Sequence, residues 1–199
     1  AWTWERMALT RARVICGPER LGRTTEAAIH SVLTEGRDPD VLLRDIATMR
    51  ERIAREHPAA SLWDAKYCPG GLVDIEFVCQ YLQLRHASEN DNVLRANTHD
   101  ALTAVAEAGF LPPSTAKTLT GALVLWQKVQ AMLRLTVAGA FDEEGAPEGQ
   151  RRALARFAGM TSFEDLRDAV VDASDWARAV FEEILAGPAA ALPPEKTDE

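Results

Sequence analysis

Apolar residues recur along this chain at the three- and four-residue spacing of amphipathic helices, and no stretch alternates clearly between apolar and polar positions. The pattern predicts an all-α fold, a multi-helix bundle. Asp38-Pro39 provides a cap followed by a proline at the first helical position, and Gly159 suits a helix end. The predicted helices cover residues 2–16, 22–34, 39–57, 72–87, 98–108, 113–138, 149–158 and 162–186.

The same pattern suggests how the chain is organised. We expect a main helical bundle over residues 1–138 and an acidic, turn-rich linker over 139–148. A C-terminal helical pair of the same domain should follow over 149–186. Residues 187–199 combine prolines with charges, and we expect them to be disordered.

The predicted helix at about 72–87 is unusual because it is apolar on two opposite sides. Leu72 and Ile75 lie on one side, and Val73 and Phe77 lie on the other. A helix of this kind packs between layers of other helices, so we predict that it is the central helix of the bundle. Its polar residues make two narrow seams, one with Glu76, Gln80 and Gln83 and the other with Asp74 and Arg85.

Two carboxylates open this helix, Asp74 and Glu76. Residues two positions apart diverge by about 200° on a helix, so these acids cannot hold one metal ion or share one proton unless the helix begins after Asp74. The four histidines and three cysteines show no metal-binding spacing, and neither a nucleophile–base arrangement nor a phosphate-binding P-loop is visible. We therefore predict no catalytic residue and no metal site.

The glycines before the helix have two interpretations. Gly71 suits the cap position, Gly70 permits a close approach of backbone, and Asp74 in the first turn complements the helix dipole. Alternatively, a glycine-rich helix N-terminus can hold a phosphate, with Lys66 as the nearby cation. Lys66, Gly70 and Gly71 are therefore candidates for a phosphate contact, although an acid in the first turn favours capping.

Arginines near the predicted core raise a second alternative. Arg11 lies near the middle of an apolar stripe, and Arg50 lies close to the end of the third predicted helix. Such a side chain either extends to solvent, which is the commoner outcome, or pairs with a buried carboxylate. The specific hypothesis is that Arg11 or Arg50 pairs with Asp74 or Glu76 across helices.

Composition narrows the function classes. The formal net charge of −8 argues against a surface that holds nucleic acid, and the longest apolar run is far short of a membrane span. We expect a cytoplasmic protein that contacts neither nucleic acid nor membrane. Cys79 and Trp126 lie in apolar helical patterns, where core packing is more frequent than a reactive or ligand-binding role.

Three segments together resemble the glutamine synthetase adenylyltransferase family: 2-WTWERMALTRAR-13, 48-TMRERI-53 and 70-GGLVDIEFVCQYLQLRHA-87. The similarity covers nearly the first 140 residues, and the Gly-Gly-x-x-Asp-Ile-Glu-Phe-x-x-Gln-Tyr-Leu signature is specific. The resemblance implies a large bacterial enzyme with two nucleotidyltransferase domains, each followed by a helical domain. Segment 2–13 looks more like the C-terminal, adenylylating half.

The resemblance also implies chemistry and partners for the whole enzyme. One half adds AMP from ATP to a tyrosine of glutamine synthetase with the help of Mg²⁺, and the other half removes it by phosphorolysis. Implied partners are glutamine synthetase, a PII-type signal protein and the adjacent nucleotidyltransferase domain of the same chain. Together they adjust ammonia assimilation to nitrogen status.

This sequence departs from the family in one respect, since it lacks the nucleotidyltransferase core, in which a Gly-Ser is followed by an Asp-x-Asp pair on a strand. Asp38-Pro39-Asp40 has the Asp-x-Asp spacing that can bind magnesium, but it opens a predicted helix, where capping is favoured. No metal-binding carboxylate can be carried over, and we predict that this fragment alone binds no cofactor and does not transfer AMP. The matching positions are expected to form a structural motif that braces the helical domain and faces its catalytic neighbour. They are Arg11, Arg13, Arg50, Gly70, Gly71, Asp74, Glu76 and Gln80.

Two other functions remain open from the sequence. The chain could be a stand-alone regulatory or adaptor bundle that binds a protein. It could also be the helical domain of a PII uridylyltransferase-like enzyme, although the Trp-Glu and Arg-Ala-Arg segments disfavour this alternative.

Overall fold

A computed structural model of the protein describes residues 2–194, and within this range the chain is helical without a β-strand. The all-α prediction is confirmed. The helices are α1 (Thr3–Leu9), α2 (Glu19–Thr34), α3 (Pro39–Glu56), α4 (Leu72–His86), α5 (Thr98–Glu107), α6 (Pro113–Thr136), α7 (Glu148–Ala158), α8 (Phe163–Phe181) and α9 (Gly187–Ala190). A 3₁₀ turn at Asp91–Val93 precedes α5, and a π-helical turn at Glu182–Ala186 follows α8.

Helix α4 is the central helix, as predicted. It contacts five other helices, α1, α3, α5, α6 and α8. Both of its apolar sides are covered, because Leu72, Val73, Ile75 and Phe77 are all buried. A helix that is buried all round belongs to the interior of a bundle. Among residues 2–194, no helix has the length and apolarity needed to cross a bilayer.

The first helix is shorter than the sequence predicts. Helix α1 ends at Leu9, and the hydroxyl of Thr10 then donates to the carbonyl of Met7 at 2.7 Å. A hydroxyl that bonds a nearby carbonyl competes with helical hydrogen bonding. Arg11 and Arg13 consequently lie beyond the helix, and the predicted apolar stripe is divided. Met7 is buried, whereas Trp4 is 58% exposed.

The segment 139–148, predicted as an acidic linker, packs against the bundle. Phe141 is buried and meets Trp63 edge-on, with ring centroids 5.3 Å apart. The indole nitrogen of Trp63 donates to Glu143 at 2.9 Å. This segment leads into the α7–α8 pair, which packs against α6.

The C-terminal region is ordered further than the sequence predicts. The π-helical turn carries α8 into α9, where Pro188 has no N–H to donate to the carbonyl of Ile184. Arg44 of α3 donates to the carbonyl of Pro193 at 2.8 Å. The prediction of disorder is therefore wrong for residues 187–194, and its remaining part, 195–199, lies outside the described residues.

Candidate functional site

The family-like signature begins in a loop that satisfies the N-terminus of α4. A helix start leaves several backbone N–H groups without intrahelical partners. Here three of these N–H groups donate to carbonyls of the preceding loop. Gly71 donates to Cys68 at 2.8 Å, Leu72 to Ala65 at 2.8 Å and Val73 to Lys66 at 3.2 Å. Gly71 is the N-cap residue of α4, as predicted.

The carboxylate of Asp74 turns back onto this loop. Its Oδ2 atom accepts a 2.7 Å hydrogen bond from the N–H of Gly70, and its Oδ1 atom accepts from Nε of Arg50. Arg178 of α8 places Nη1 3.6 Å from Oδ2. The side chain of Asp74 is 0% exposed and that of Arg50 is 6% exposed, so this ion pair is buried. The hypothesis that Arg50 pairs with Asp74 is confirmed.

Gly70 is the point where three helices meet the loop. Its φ of +72° lies in the left-handed region, and a Cβ at this position would fall 1.8 Å from the carbonyl oxygen of Ser174 in α8. The indole nitrogen of Trp126 in α6 donates to the carbonyl of Gly70 at 3.0 Å. Beside it, the hydroxyl of Ser174 donates to the carbonyl of Pro69 at 2.6 Å. The predicted close approach of backbone at Gly70 is confirmed.

We call this constellation the Asp74 cluster. It comprises Arg50, Gly70, Asp74, Trp126, Ser174 and Arg178. The carboxylate already receives an amide N–H and two guanidinium groups, so its oxygens are engaged inside the protein. Charge-assisted hydrogen bonds of this kind fix geometry strongly when they are shielded from water. The cluster therefore acts as a brace between α3, α4, α6 and α8.

The neighbouring thiol of Cys68 is also unreactive near neutral pH. Cys68 is 2% exposed, and burial raises the pKa of its thiol to about 12, with the charges of Asp64 and Asp74 adding to the shift. Because the thiolate is the reactive form, this group is a poor nucleophile near neutral pH. Among residues 2–194, no group of three His, Cys, Asp or Glu side chains is placed to hold a metal ion.

Glu76 lies on a different side of α4 from Asp74 and has its own partner. Nη1 of Arg11 lies 2.9 Å from Oε1 of Glu76. This pair is partly exposed, with 52% of the Arg11 side chain and 26% of the Glu76 side chain accessible. The predicted pairing of Arg11 with Glu76 is thus confirmed. Asp74 and Glu76 point in different directions, as residues two positions apart on a helix must, and each meets a different arginine.

The remaining predicted residues do not join the Asp74 cluster. Arg13 is exposed beside a surface pocket of about 200 Å³, and Gln80 is buried on α4. Lys66 is exposed, with its Nζ 4.7 Å from the centre of the Tyr67 ring. The N–H groups of Gly70 and Gly71 both donate to protein acceptors, so the structure does not present them to a phosphate.

Sequence reasoning missed Ser174 and Arg178 as partners of the signature. Ser174 lies 105 residues from the carbonyl that it bonds, which no local pattern encodes. One signal was available, since Ser174 is a polar residue at helical spacing from the buried Val170, Ala177 and Phe181. A polar residue on a buried stripe needs a hydrogen-bond partner. Trp126 is a core residue as predicted, with 0% exposure, and its hydrogen bond to Gly70 is an additional role.

Comparison with known proteins gives the family. The family model described as GlnD PII-uridylyltransferase matches residues 40–185, which is most of the chain. The chain belongs to this family. The matched range contains the whole Asp74 cluster, whereas Arg11 lies outside it. The Arg11–Glu76 ion pair therefore joins the N-terminal segment to the part of the chain that the family model covers.

Similar curated proteins carry a different name from the family model. Proteins from Rhodopseudomonas palustris (strain TIE-1) and Bradyrhizobium diazoefficiens are 39% and 40% identical over 187 residues, and one from Xanthobacter autotrophicus is 38% identical over 185. Each is named bifunctional glutamine synthetase adenylyltransferase/adenylyl-removing enzyme. The matches cover 93–94% of this chain but 19% of each relative, so the chain spans about a fifth of their length.

Proposed function

We propose that the chain is a noncatalytic helical domain of a glutamine synthetase adenylyltransferase. The longer enzyme would transfer AMP from ATP, with Mg²⁺, to a tyrosine of glutamine synthetase and remove it by phosphorolysis. The names and the 38–40% identity of relatives that cover nearly all of this chain support the assignment. The structural observation that carries the noncatalytic role is the buried Arg50–Asp74 pair, because it uses the signature acid as an internal brace.

A second pair of acids, Asp38 and Asp40, supports the same conclusion. Asp38 and Asp40 have the Asp-x-Asp spacing of a magnesium site, yet Oδ1 of Asp38 accepts from the N–H groups of Asp40 at 2.9 Å and Val41 at 3.1 Å. Asp38 is therefore the N-cap of α3, with Pro39 at the first helical position. This arrangement fits helix capping and leaves nucleotidyl transfer to another part of the enzyme.

In this proposal, the signature residues keep the bundle rigid while the domain faces its catalytic neighbour. The Asp74 cluster ties four helices together in the interior. The partly exposed Arg11–Glu76 pair holds the segment after α1 against α4. A rigid helical body can then position the neighbouring nucleotidyltransferase domain relative to glutamine synthetase or a PII-type protein. We assign it to the C-terminal, adenylylating half.

Two tests address this proposal. The reading frame around the segment that encodes this chain should also encode a Gly-Ser followed by an Asp-x-Asp. In addition, the 199-residue chain alone should not transfer AMP when it is mixed with glutamine synthetase, Mg²⁺ and radiolabelled ATP. Stoichiometric labelling of glutamine synthetase by the chain alone would refute the noncatalytic role. A frame without the nucleotidyltransferase core would instead favour a stand-alone adaptor.

The description of the family model favours one second candidate, a helical domain of a PII uridylyltransferase-like enzyme. The two enzymes differ in nucleotide and in acceptor protein. The full-length protein should therefore be incubated in parallel with labelled ATP plus glutamine synthetase and with labelled UTP plus a PII-type protein. We expect label only in glutamine synthetase, and transfer of UMP to the PII-type protein would establish the second candidate.

A further inference from the structure

A surface cavity of about 350 Å³ lies outside the Asp74 cluster. The loop before α4 forms one wall, the C-terminal end of α6 forms the second, and the packed segment after α6 closes it. Pockets that hold small molecules in proteins start at about 300 Å³, so this one is large enough for a compact ligand. The lining residues that matter are Trp63, Lys66, Tyr67, Gln130, Arg134 and Phe141.

Two cationic residues line this cavity on different walls, Lys66 on the loop and Arg134 on α6. Neither forms an ion pair with an acid among residues 2–194. Asp64 is the single acid on the described lining, and its Oδ1 atom accepts from the N–H of Tyr67 at 3.3 Å. The lining is therefore net positive in a chain whose net charge is −8, which concentrates anions locally.

Three carbonyls at the end of α6 accept hydrogen bonds from the protein itself. The carbonyl of Leu133 accepts from the N–H of Val137 at 2.8 Å, and that of Met132 accepts from the hydroxyl of Thr136 at 2.8 Å. The side-chain amide of Gln150 reaches the carbonyl of Thr136 at 3.5 Å. These three carbonyls are therefore engaged within the protein, and Lys66 and Arg134 supply the two positive charges of the lining.

The rest of the lining is largely apolar. Trp63 and Phe141 are buried, and Tyr67 is half-buried with Lys66 above its ring. Trp63 is fixed through its hydrogen bond to Glu143, so this wall is preformed. Gln130 adds a side-chain amide on the α6 wall. Apolar walls with a few convergent polar groups are typical of small-molecule sites.

We propose that this cavity binds a small organic anion, a molecule with a phosphate or carboxylate group on an apolar or aromatic body. The guanidinium of Arg134 offers paired donors for two oxygens, and the ammonium of Lys66 adds a second charge. The aromatic and aliphatic walls take the body of the ligand, and Gln130 bonds a polar edge. This inference does not depend on the proposed function, because it uses only the groups on the cavity wall.

The test uses isothermal titration calorimetry on the 199-residue chain with phenyl phosphate, benzoate, phenol and inorganic phosphate as probes. We expect saturable one-to-one binding of phenyl phosphate or benzoate, weaker binding of inorganic phosphate and none of phenol. The stronger of the two aromatic anions identifies the preferred acidic group. Affinity should fall as salt rises, because the contacts are charge-assisted at a solvent-facing site.

Alanine substitutions test whether the anion binds in this cavity. Arg134→Ala and Lys66→Ala should each reduce the affinity for the more tightly bound aromatic anion about tenfold or more. Arg20→Ala and Lys117→Ala remove exposed cations elsewhere and should leave affinity unchanged. Since Arg134 and Lys66 are exposed, thermal melting followed by circular dichroism should show intact folding in all four variants. Equal binding of phenol, binding that survives both cavity substitutions, or no saturable binding of any anion at millimolar concentration would overturn the proposal.

Discussion

Arg50 in α3 and Asp74 in α4 form an ion pair in which the arginine side chain is 6% exposed and the carboxylate is 0% exposed. The same carboxylate accepts the N–H of Gly70, so one side chain holds both a neighbouring helix and its own preceding loop. Removing one partner of a buried pair leaves the other charge without compensation in a low-dielectric interior. This relationship makes the family signature a determinant of stability.

Replacing Asp74 with alanine should therefore destabilise the protein strongly. The variant leaves Arg50 buried without its acid, and we expect the free energy of unfolding to fall by about 3–5 kcal/mol. Urea unfolding followed by circular dichroism measures this loss. Because the site lies in the interior, the variant should also unfold at a clearly lower temperature.

Glu76→Ala is the matched control, since it removes the other acid of the same helix. Its pair with Arg11 is partly exposed, and such pairs contribute about 0.2–1 kcal/mol. We expect a much smaller change in the urea midpoint than for Asp74→Ala. Equal losses in the two variants would contradict the distinction between an interior brace and a surface ion pair.

Gly70→Ala should destabilise the protein through a steric clash. Its Cβ would lie 1.8 Å from the carbonyl oxygen of Ser174, in addition to the cost of a φ of +72°. Gly109 is the control, because it has a similar φ of +82° and no neighbouring atom within 4 Å of the place where a Cβ would lie. Gly109→Ala should cost about 1–2 kcal/mol from the backbone alone. Gly70→Ala should cost about 1–3 kcal/mol more in the same urea experiment, and similar losses would show that α8 does not restrict Gly70.

The three cysteines should differ sharply in reactivity. Cys16 is exposed, whereas burial raises the pKa values of Cys68 and Cys79 to about 12. Far below that pKa the thiolate fraction is very small, and the reagent also lacks access. A thiol-reactive chromophore at pH 8 should label only Cys16 in the native protein and all three cysteines in urea. Rapid native labelling that persists in Cys16→Ala would contradict the buried positions of the other two thiols.

Stability should fall in mild acid because of His86. Its ring stacks on Phe110 with centroids 3.8 Å apart, and burial, with a contribution from the charge of Arg85, lowers its pKa below the ordinary value. The folded state then binds fewer protons than the unfolded state. The contribution of His86 is fully present above the unfolded pKa of about 6.5 and is lost as the pH falls from there towards the folded pKa.

His86→Phe tests this dependence and keeps an aromatic ring against Phe110. The decrease in the urea midpoint between neutral pH and pH 5 should be smaller in this variant than in the parent chain. His99→Gln changes an exposed histidine and should keep the larger decrease. An unchanged pH response in His86→Phe would show that other groups control acid stability.

Several features of the site follow from local geometry and could be predicted. Asp38 caps α3, Gly71 caps α4, and Asp74 and Glu76 point to different partners. Each depends on residues within a turn or two of the chain, where helical periodicity and capping preferences operate. The buried, two-sided character of α4 also follows from its own residues.

Other features depend on distant residues. The length of α1 was predicted wrongly because the apolar spacing continues past Thr10, while the chain leaves the helix there and Arg11 reaches Glu76. The order of residues 187–194 was also missed. It rests in part on the contact between Arg44 and Pro193, which are 149 residues apart.

By itself, the amino-acid sequence determined that the chain is helical, that α4 lies in the centre and that its two acids cannot act together, because backbone periodicity sets these properties. Only the tertiary structure decided that Arg50 and Arg178 both approach Asp74 and that Gly70 must lack a side chain beside Ser174. These contacts join helices that are far apart in the chain. Their geometry is set by the packing of whole helices, which no local pattern of residues contains.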